Sequence, residues 1–160
     1  MPVGRYIAMV GFLVWRRGDG RYLLLKRSLD KDFEPGEWET GSGRLEQGEG
    51  FAEALKRESR EELGMELGAE CIVGTTHFYR GEQRPENELV GVIFGCSVPD
   101  DTEFILSEEH TDYRWMTADE ARDFPQQDHW LASLIEQADK FRQSIPCEMR
   151  EFYQTGDFEF

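Results

Sequence analysis

Tyr6 to Trp15 reads Y-I-A-M-V-G-F-L-V-W, apolar at odd and even positions alike, the pattern of a strand buried on both faces. Arg16-Arg17-Gly18-Asp19-Gly20 is a turn, and R-Y-L-L-L-K over Arg21 to Lys26 predicts the returning strand. A polar loop with Pro35-Gly36 follows, then Trp38, and Glu39 to Gly43 predicts a short strand entering a turn. From Phe51 the rhythm becomes helical: Phe51, Leu55, Ser59 and Leu63 share one arc at about 100° per residue, and Gly64 supplies a stop. Met65 to Thr76 predicts a partly exposed strand, and His77 to Arg80 leads into the polar loop G-E-Q-R-P-E-N-E. Leu89 to Val98 predicts a central strand, with a short edge element expected over Glu103 to Ser107.

Thr117-Ala118-Asp119-Glu120 has the spacing of a capping box and opens a short helix that Pro125 halts. Asp128 caps a longer helix in which Trp130, Leu131, Leu134, Ile135, Ala138 and Phe141 recur at helical spacing. This order of elements is compatible with an α/β sandwich over residues 1–142. Residues 143–160 mix Ile145, Met149, Phe152, Tyr153, Phe158 and Phe160 with acidic positions. An exposed aromatic tail favours association, so this extension is expected to dock on its own chain or a partner, or to be partly disordered.

Charge narrows the functional classes. With 18 basic and 33 acidic residues among 160, the formal net charge is −15, which repels phosphate backbones and excludes non-specific nucleic-acid binding. Cys71, Cys96 and Cys147 have neither metal-ligand nor redox spacing, and their odd number argues against a disulfide framework. No signal-like apolar run opens the chain and no stretch approaches a transmembrane span, so the expected setting is cytoplasmic, without a membrane partner. Three histidines, His77, His110 and His129, leave little scope for a zinc site.

The densest chemistry lies between Gly43 and Met65. On the predicted helix Glu58, Glu61 and Glu62 fall within an arc of roughly 100°. Like charges at that spacing destabilise a bare helix, and a hard divalent cation held by oxygens offsets the repulsion. A solvated acidic face is the other reading of the helix alone. The wider spacing separates the two: Gly43, five residues, Glu49, seven residues, then Arg57-Glu58-Ser59-Arg60-Glu61-Glu62-Leu63-Gly64-Met65. This stretch resembles the Nudix box, the signature of the Nudix hydrolase superfamily. Ser59 stands where an aliphatic residue or alanine is usual, and Thr40 and Ser42 depart from the P-G-G that often follows a tryptophan in this family.

The resemblance implies the Nudix fold, an α/β/α sandwich with a mixed sheet, and Mg²⁺-dependent hydrolysis of a diphosphate linkage, with Mn²⁺ as the alternative ion. It places Mg²⁺ on Glu58, Glu61 and Glu62, with Glu109, six residues before Trp115, completing the metal site. Glu61 or Glu109 takes the general-base role, and Arg57 pairs with Glu49 to orient the glutamates. Gly43, Trp38, Arg27 and Phe78 are the expected substrate contacts. For Lys26 and Arg27 a solvated strand end competes with a substrate-phosphate contact, and for Trp38 core packing competes with a ligand contact. The expected substrate is a small nucleotide derivative, a nucleoside triphosphate or dinucleoside polyphosphate, and the protein a monomer or homodimer. A non-catalytic nucleotide-binding or regulatory Nudix module is the alternative.

Overall fold

A computed structural model of the protein describes residues 5–124 and 130–159. The chain runs β1 (Ile7–Arg16), β2 (Tyr22–Arg27), β3 (Trp38–Glu39), β4 (Gly41–Arg44), α1 (Phe51–Leu63) and β5 (Cys71–Tyr79). After a 3₁₀ turn at Pro85–Asn87 come β6 (Glu88–Val98), β7 (His110–Met116), α2 (Ala118–Arg122), α3 (Trp130–Ser144) and α4 (Cys147–Thr155).

β1 is the axis of a seven-stranded mixed sheet. It runs parallel to β6 from Ile7 opposite Leu89 to Arg16 opposite Val98. Along its other edge the first half pairs antiparallel with β4, and Trp15 pairs with Tyr22 of β2. β2 in turn carries β3 and β7, and β5 closes the far edge against β6.

The double-sided apolar run of β1 fills two cores. Val10, Phe12 and Val14 point to one face, where they meet Ala54, Leu55 and Leu63 of α1. Leu13 and Trp15 point to the other, against Leu131, Ile135 and Ala138 of α3. Each such buried Val, Leu or Phe contributes about 1.5–3 kcal/mol. The result is the expected α/β/α sandwich.

Several local expectations are revised. Glu103–Ser107 forms no strand; instead Ile105 N and Ser107 N donate to the Leu63 and Glu62 carbonyls, satisfying acceptors that the last turn of α1 leaves open. β5 starts only at Cys71 and runs on through Tyr79, while Leu67 and Ala69 are buried as irregular chain. Trp130 and Phe141, at the ends of the α3 stripe, remain 43% and 39% exposed. The Thr117–Glu120 capping box forms in both directions, whereas Pro125 and Asp128 lie outside the described residues. α3 continues to Ser144, across the expected boundary after 142, and Tyr153 and Phe158 pack against the α1-side core. Met149 and Phe152 stay exposed, and Phe160 is outside the described residues.

Candidate active site

The site forms where α1 lies against β4. In an extended strand alternate positions share a face, so Gly41 and Gly43, paired with Phe12 and Val10, look towards the helix. A Cβ on Gly43 would overlap the Glu58 carboxylate. One on Gly41 would overlap the Phe12 ring and come within 2.8 Å of Glu62 Oε2. The two glycines therefore form a cradle that lets both carboxylates approach the backbone. Ser42, between them, faces the other way, which is why a side chain is tolerated there.

Glu62 is 5% exposed. Its Oε1 accepts a long hydrogen bond of 3.4 Å from Ser42 N, and its Oε2 is buried with no partner. Burial pushes this carboxyl well above the usual range and the nearby Glu39 charge adds to the push, while the Ser42 amide opposes both. Glu58 is raised as well, because burial outweighs the 2.7 Å bond it accepts from Arg57 Nη1. Glu61, with 59% of its side chain exposed, receives only a 3.4 Å contact from the same nitrogen.

Arg57 organises this group. Its Nε and Nη2 each donate to Glu49 at 2.8 Å, a bidentate pair, and Nη2 also reaches the Arg44 carbonyl at 2.8 Å. The guanidinium thus ties the loop before α1, the end of β4 and Glu58 together. Its hydrogen bonds hold the Glu49 carboxyl below its ordinary value, and Glu49 in turn raises the Arg57 pKa. Ser59, the departure within the box, is fully buried and satisfied. Its hydroxyl donates to the Lys56 carbonyl at 3.2 Å and accepts from Leu67 N at 2.9 Å, pinning the chain after α1 to the helix.

The remaining predicted residues divide. Glu109, in the loop before β7, is ion-paired with Lys31, which lowers its carboxyl pKa, and its charge is felt at Glu58 and Glu62. Arg27 is directed inward: its side chain is 12% exposed, donates at 2.7 and 2.9 Å to Glu39, and bonds the Phe33 carbonyl. Trp38 faces away from α1, edge-on to Phe124, with the Arg114 guanidinium 4.9 Å and the Lys26 ammonium 5.9 Å from its ring. Among the described residues Lys26 and Arg114 have no carboxylate within ion-pair distance, although Asp112 is Lys26's cross-strand neighbour. Phe78, opposite Leu89, lies on the edge strand of that same face, with β6 and β1 between it and β4.

Glu39 is the residue that motif reasoning missed. It accepts from Arg27 and, at 3.0 Å, from the buried His110 Nε2, and it bears electrostatically on Glu62. The signal was parity: Glu39, Gly41 and Gly43 alternate along one stretch and share the helix-facing side. His110 is accordingly part of the internal framework.

Among the described residues no three His, Cys, Asp or Glu side chains converge as a ready-made metal cluster. The donors nonetheless fit a hard divalent cation. They are all carboxylate oxygens, one on Glu62 is buried without a partner, and the half-buried Glu58 stays raised even with the Arg57 guanidinium beside it.

A mixed sheet between helices, with glutamates of a loop–helix seated on a glycine cradle, defines the class: an α/β/α hydrolase domain with a carboxylate site. The chain belongs to the NUDIX domain family, which matches residues 6–138, and acts as a hydrolase on phosphoanhydride bonds of nucleotide-like substrates. The nucleoside triphosphatase NudI of Escherichia coli O139:H28 is 36% identical over 107 residues, covering 62% of this chain and 75% of that protein. Among solved structures, the MutT protein from Methanosarcina mazei Go1 superposes with a TM-score of 0.74 at 23% identity, covering 90% of this chain and all of that one. A C. elegans Ap4A hydrolase superposes with a TM-score of 0.70 at 20% identity, over 87% of this chain and 99% of that one. At these identities the two structures speak for the fold alone. No helix among the described residues is long and apolar enough to cross a membrane.

Proposed function

We propose that this protein is a Mg²⁺-dependent nucleoside triphosphate pyrophosphohydrolase, adding water to a nucleoside triphosphate to release a nucleoside monophosphate and pyrophosphate. The observation that carries the reading is the Glu62 carboxylate, buried in the glycine cradle with one oxygen unpartnered, with the half-buried Glu58 carboxylate on the same cradle. The similarity to a nucleoside triphosphatase supports the substrate class.

In this reading Glu58 and Glu62 hold Mg²⁺, with Glu61 and Glu109 as the further oxygen donors. When bound, the ion neutralises phosphate oxygens and acidifies water. Arg57, anchored by Glu49, keeps Glu58 from turning away. Glu61, exposed and loosely held, accepts the proton of the attacking water; Glu109 is instead committed to its ion pair with Lys31, which lowers its carboxyl pKa. Arg27 is already bound to Glu39, so the cations left for an anionic substrate are Lys26 and Arg114, beside Trp38 on the face of the sheet opposite α1, which a substrate would meet where it extends past the sheet from the glutamates.

The test is product release from ribo- and deoxynucleoside triphosphates, dinucleoside polyphosphates and ADP-ribose, with and without Mg²⁺, in ¹⁸O-water. Mg²⁺-dependent pyrophosphate formation from a triphosphate is the expected result. Orthophosphate as the only product, or preference for another substrate class, refutes the proposed reaction; binding of nucleotides without turnover gives the non-catalytic module.

A further inference from the structure

The catalytic helix receives no cap from its own N-cap side chain. Its N-cap is Gly50, which has no side chain to accept the first-turn amides. Glu53 reaches back to Gly50 N with a 3.4 Å bond, but the next two amides are satisfied from far along the chain. Phe51 N donates to Glu159 Oε1 at 2.6 Å and Ala52 N to Glu159 Oε2 at 2.8 Å.

That carboxylate is held by packing. Phe158, the preceding residue, sits 5.4 Å from the Phe94 ring and 5.2 Å from Tyr153 of α4, within the core that α1 also fills. Gly156, left-handed at φ 80°, turns the chain there, and a Cβ on it would touch Ala52. Gly50 is equally shaped for the contact, since a Cβ at that position would come within 2.6 Å of Glu159 Oε2. Yet the Gly50 backbone, at φ −88° and ψ 172°, is the extended conformation that a serine cap adopts. Space for Glu159, and no backbone strain, explains glycine here.

We propose that Glu159 is a positioning residue for the Nudix helix, supplying in trans along the chain the cap that Gly50 lacks. The inference rests on the reading of Glu58 and Glu62 as the metal site. The linkage is short. Gly50 follows Glu49, and Glu49 holds the guanidinium that orients Glu58. Loosening the first turn of α1 moves Glu49 relative to Arg57 and so releases Glu58. A negative charge at this end also opposes the positive end of the helix dipole.

The experiment is a cycle of Glu159→Ala, Gly50→Ser and the double variant, each assayed for Mn²⁺ affinity by electron paramagnetic resonance, kcat, KM and amide exchange at Phe51 and Ala52. Glu159→Ala should speed exchange at both amides, weaken Mn²⁺ binding about fivefold and lower kcat by a similar factor with KM unchanged. Gly50→Ser alone displaces Glu159 and should not improve on wild type. In the double variant the serine accepts from Ala52 N or Glu53 N, so exchange at Ala52, Mn²⁺ affinity and kcat should return to within about twofold of wild type, while Phe51 N, which an N-cap side chain does not reach, keeps exchanging fast. Unchanged Mn²⁺ affinity and kcat in Glu159→Ala, even with a lower Tm, would reduce Glu159 to a structural contact and overturn the proposal. So would a double variant no better than Glu159→Ala. A wild-type protein that hydrolyses no nucleotide, yet follows the cycle in Mn²⁺ affinity and exchange, refutes the enzymatic reading and leaves the positioning role standing.

Discussion

Glu49 and Glu62 are both carboxylates of the same motif, and the fold treats them in opposite ways. Glu49, bonded to Arg57, has a lowered pKa, so its contribution to stability is present above its unfolded value of about 4.5 and is lost as pH falls through the folded one. Glu62, raised by burial, contributes stability fully present below about 4.5 and lost as pH rises through its higher folded value. Glu62→Gln should therefore raise the Tm of the metal-free protein at neutral pH, by the equivalent of about 1–3 kcal/mol, with the gain vanishing below pH ~4.5. The same variant should lose Mg²⁺-dependent turnover by at least about a hundredfold. Melts in chelator across pH and steady-state kinetics check both, and unchanged kcat removes Glu62 from the site. Arg57→Ala should lower kcat or Mg²⁺ affinity about 10–100-fold through disordered glutamates, a loss that lysine, lacking the planar fork, repairs only in part. Lys26→Ala with Arg114→Ala should raise KM for a nucleoside triphosphate about tenfold and leave kcat nearly intact. A KM equal to wild type would exclude this face from substrate binding.

At the scale of elements, the working unit is α1 set on β3–β4. Gly43→Ala tests the cradle: the added methyl meets Glu58, so activity should fall at least about tenfold while the far-ultraviolet circular dichroism stays native. Wild-type turnover would mean that Glu58 acts from another rotamer. This unit was largely legible in the sequence, because glycine, charge and helical period each constrain backbone or face directly. β1 and β6 were legible for a similar reason, since apolar residues at successive positions have nowhere to go but a buried strand. What escaped depends on partners distant in sequence. Arg27 read as a phosphate contact because nothing local announces that Glu39 and His110 close around it. Ser59 stood out only as a departure from an aliphatic position, yet its hydroxyl anchors Leu67 N. Glu103–Ser107 had strand-like composition, but the open carbonyls of α1 claimed its amides first.

The whole molecule carries a net charge of −15 around a site meant for polyanions. Long-range repulsion slows their approach at low salt, and screening relieves it over a Debye length of about 8–10 Å near physiological ionic strength. At fixed free Mg²⁺, kcat/KM should thus rise about twofold or more between low and physiological salt if encounter limits the reaction. A steady fall would point to local attraction by Lys26 and Arg114 as the larger effect.

The parallel pairing of β1 with β6 also governs how this molecule comes into being. The most apolar strand leaves the ribosome well before the eleven-residue β6 it pairs with, which lies about 80 positions downstream. At roughly 5–20 residues per second, that is about 4–16 s during which nascent β1 has only the β-hairpin with β2 and the edge offered by β4. Its exposed side through that interval is a natural substrate for chaperones that hold extended apolar segments, and the glutamate site cannot assemble on a settled sheet until synthesis has passed Val98.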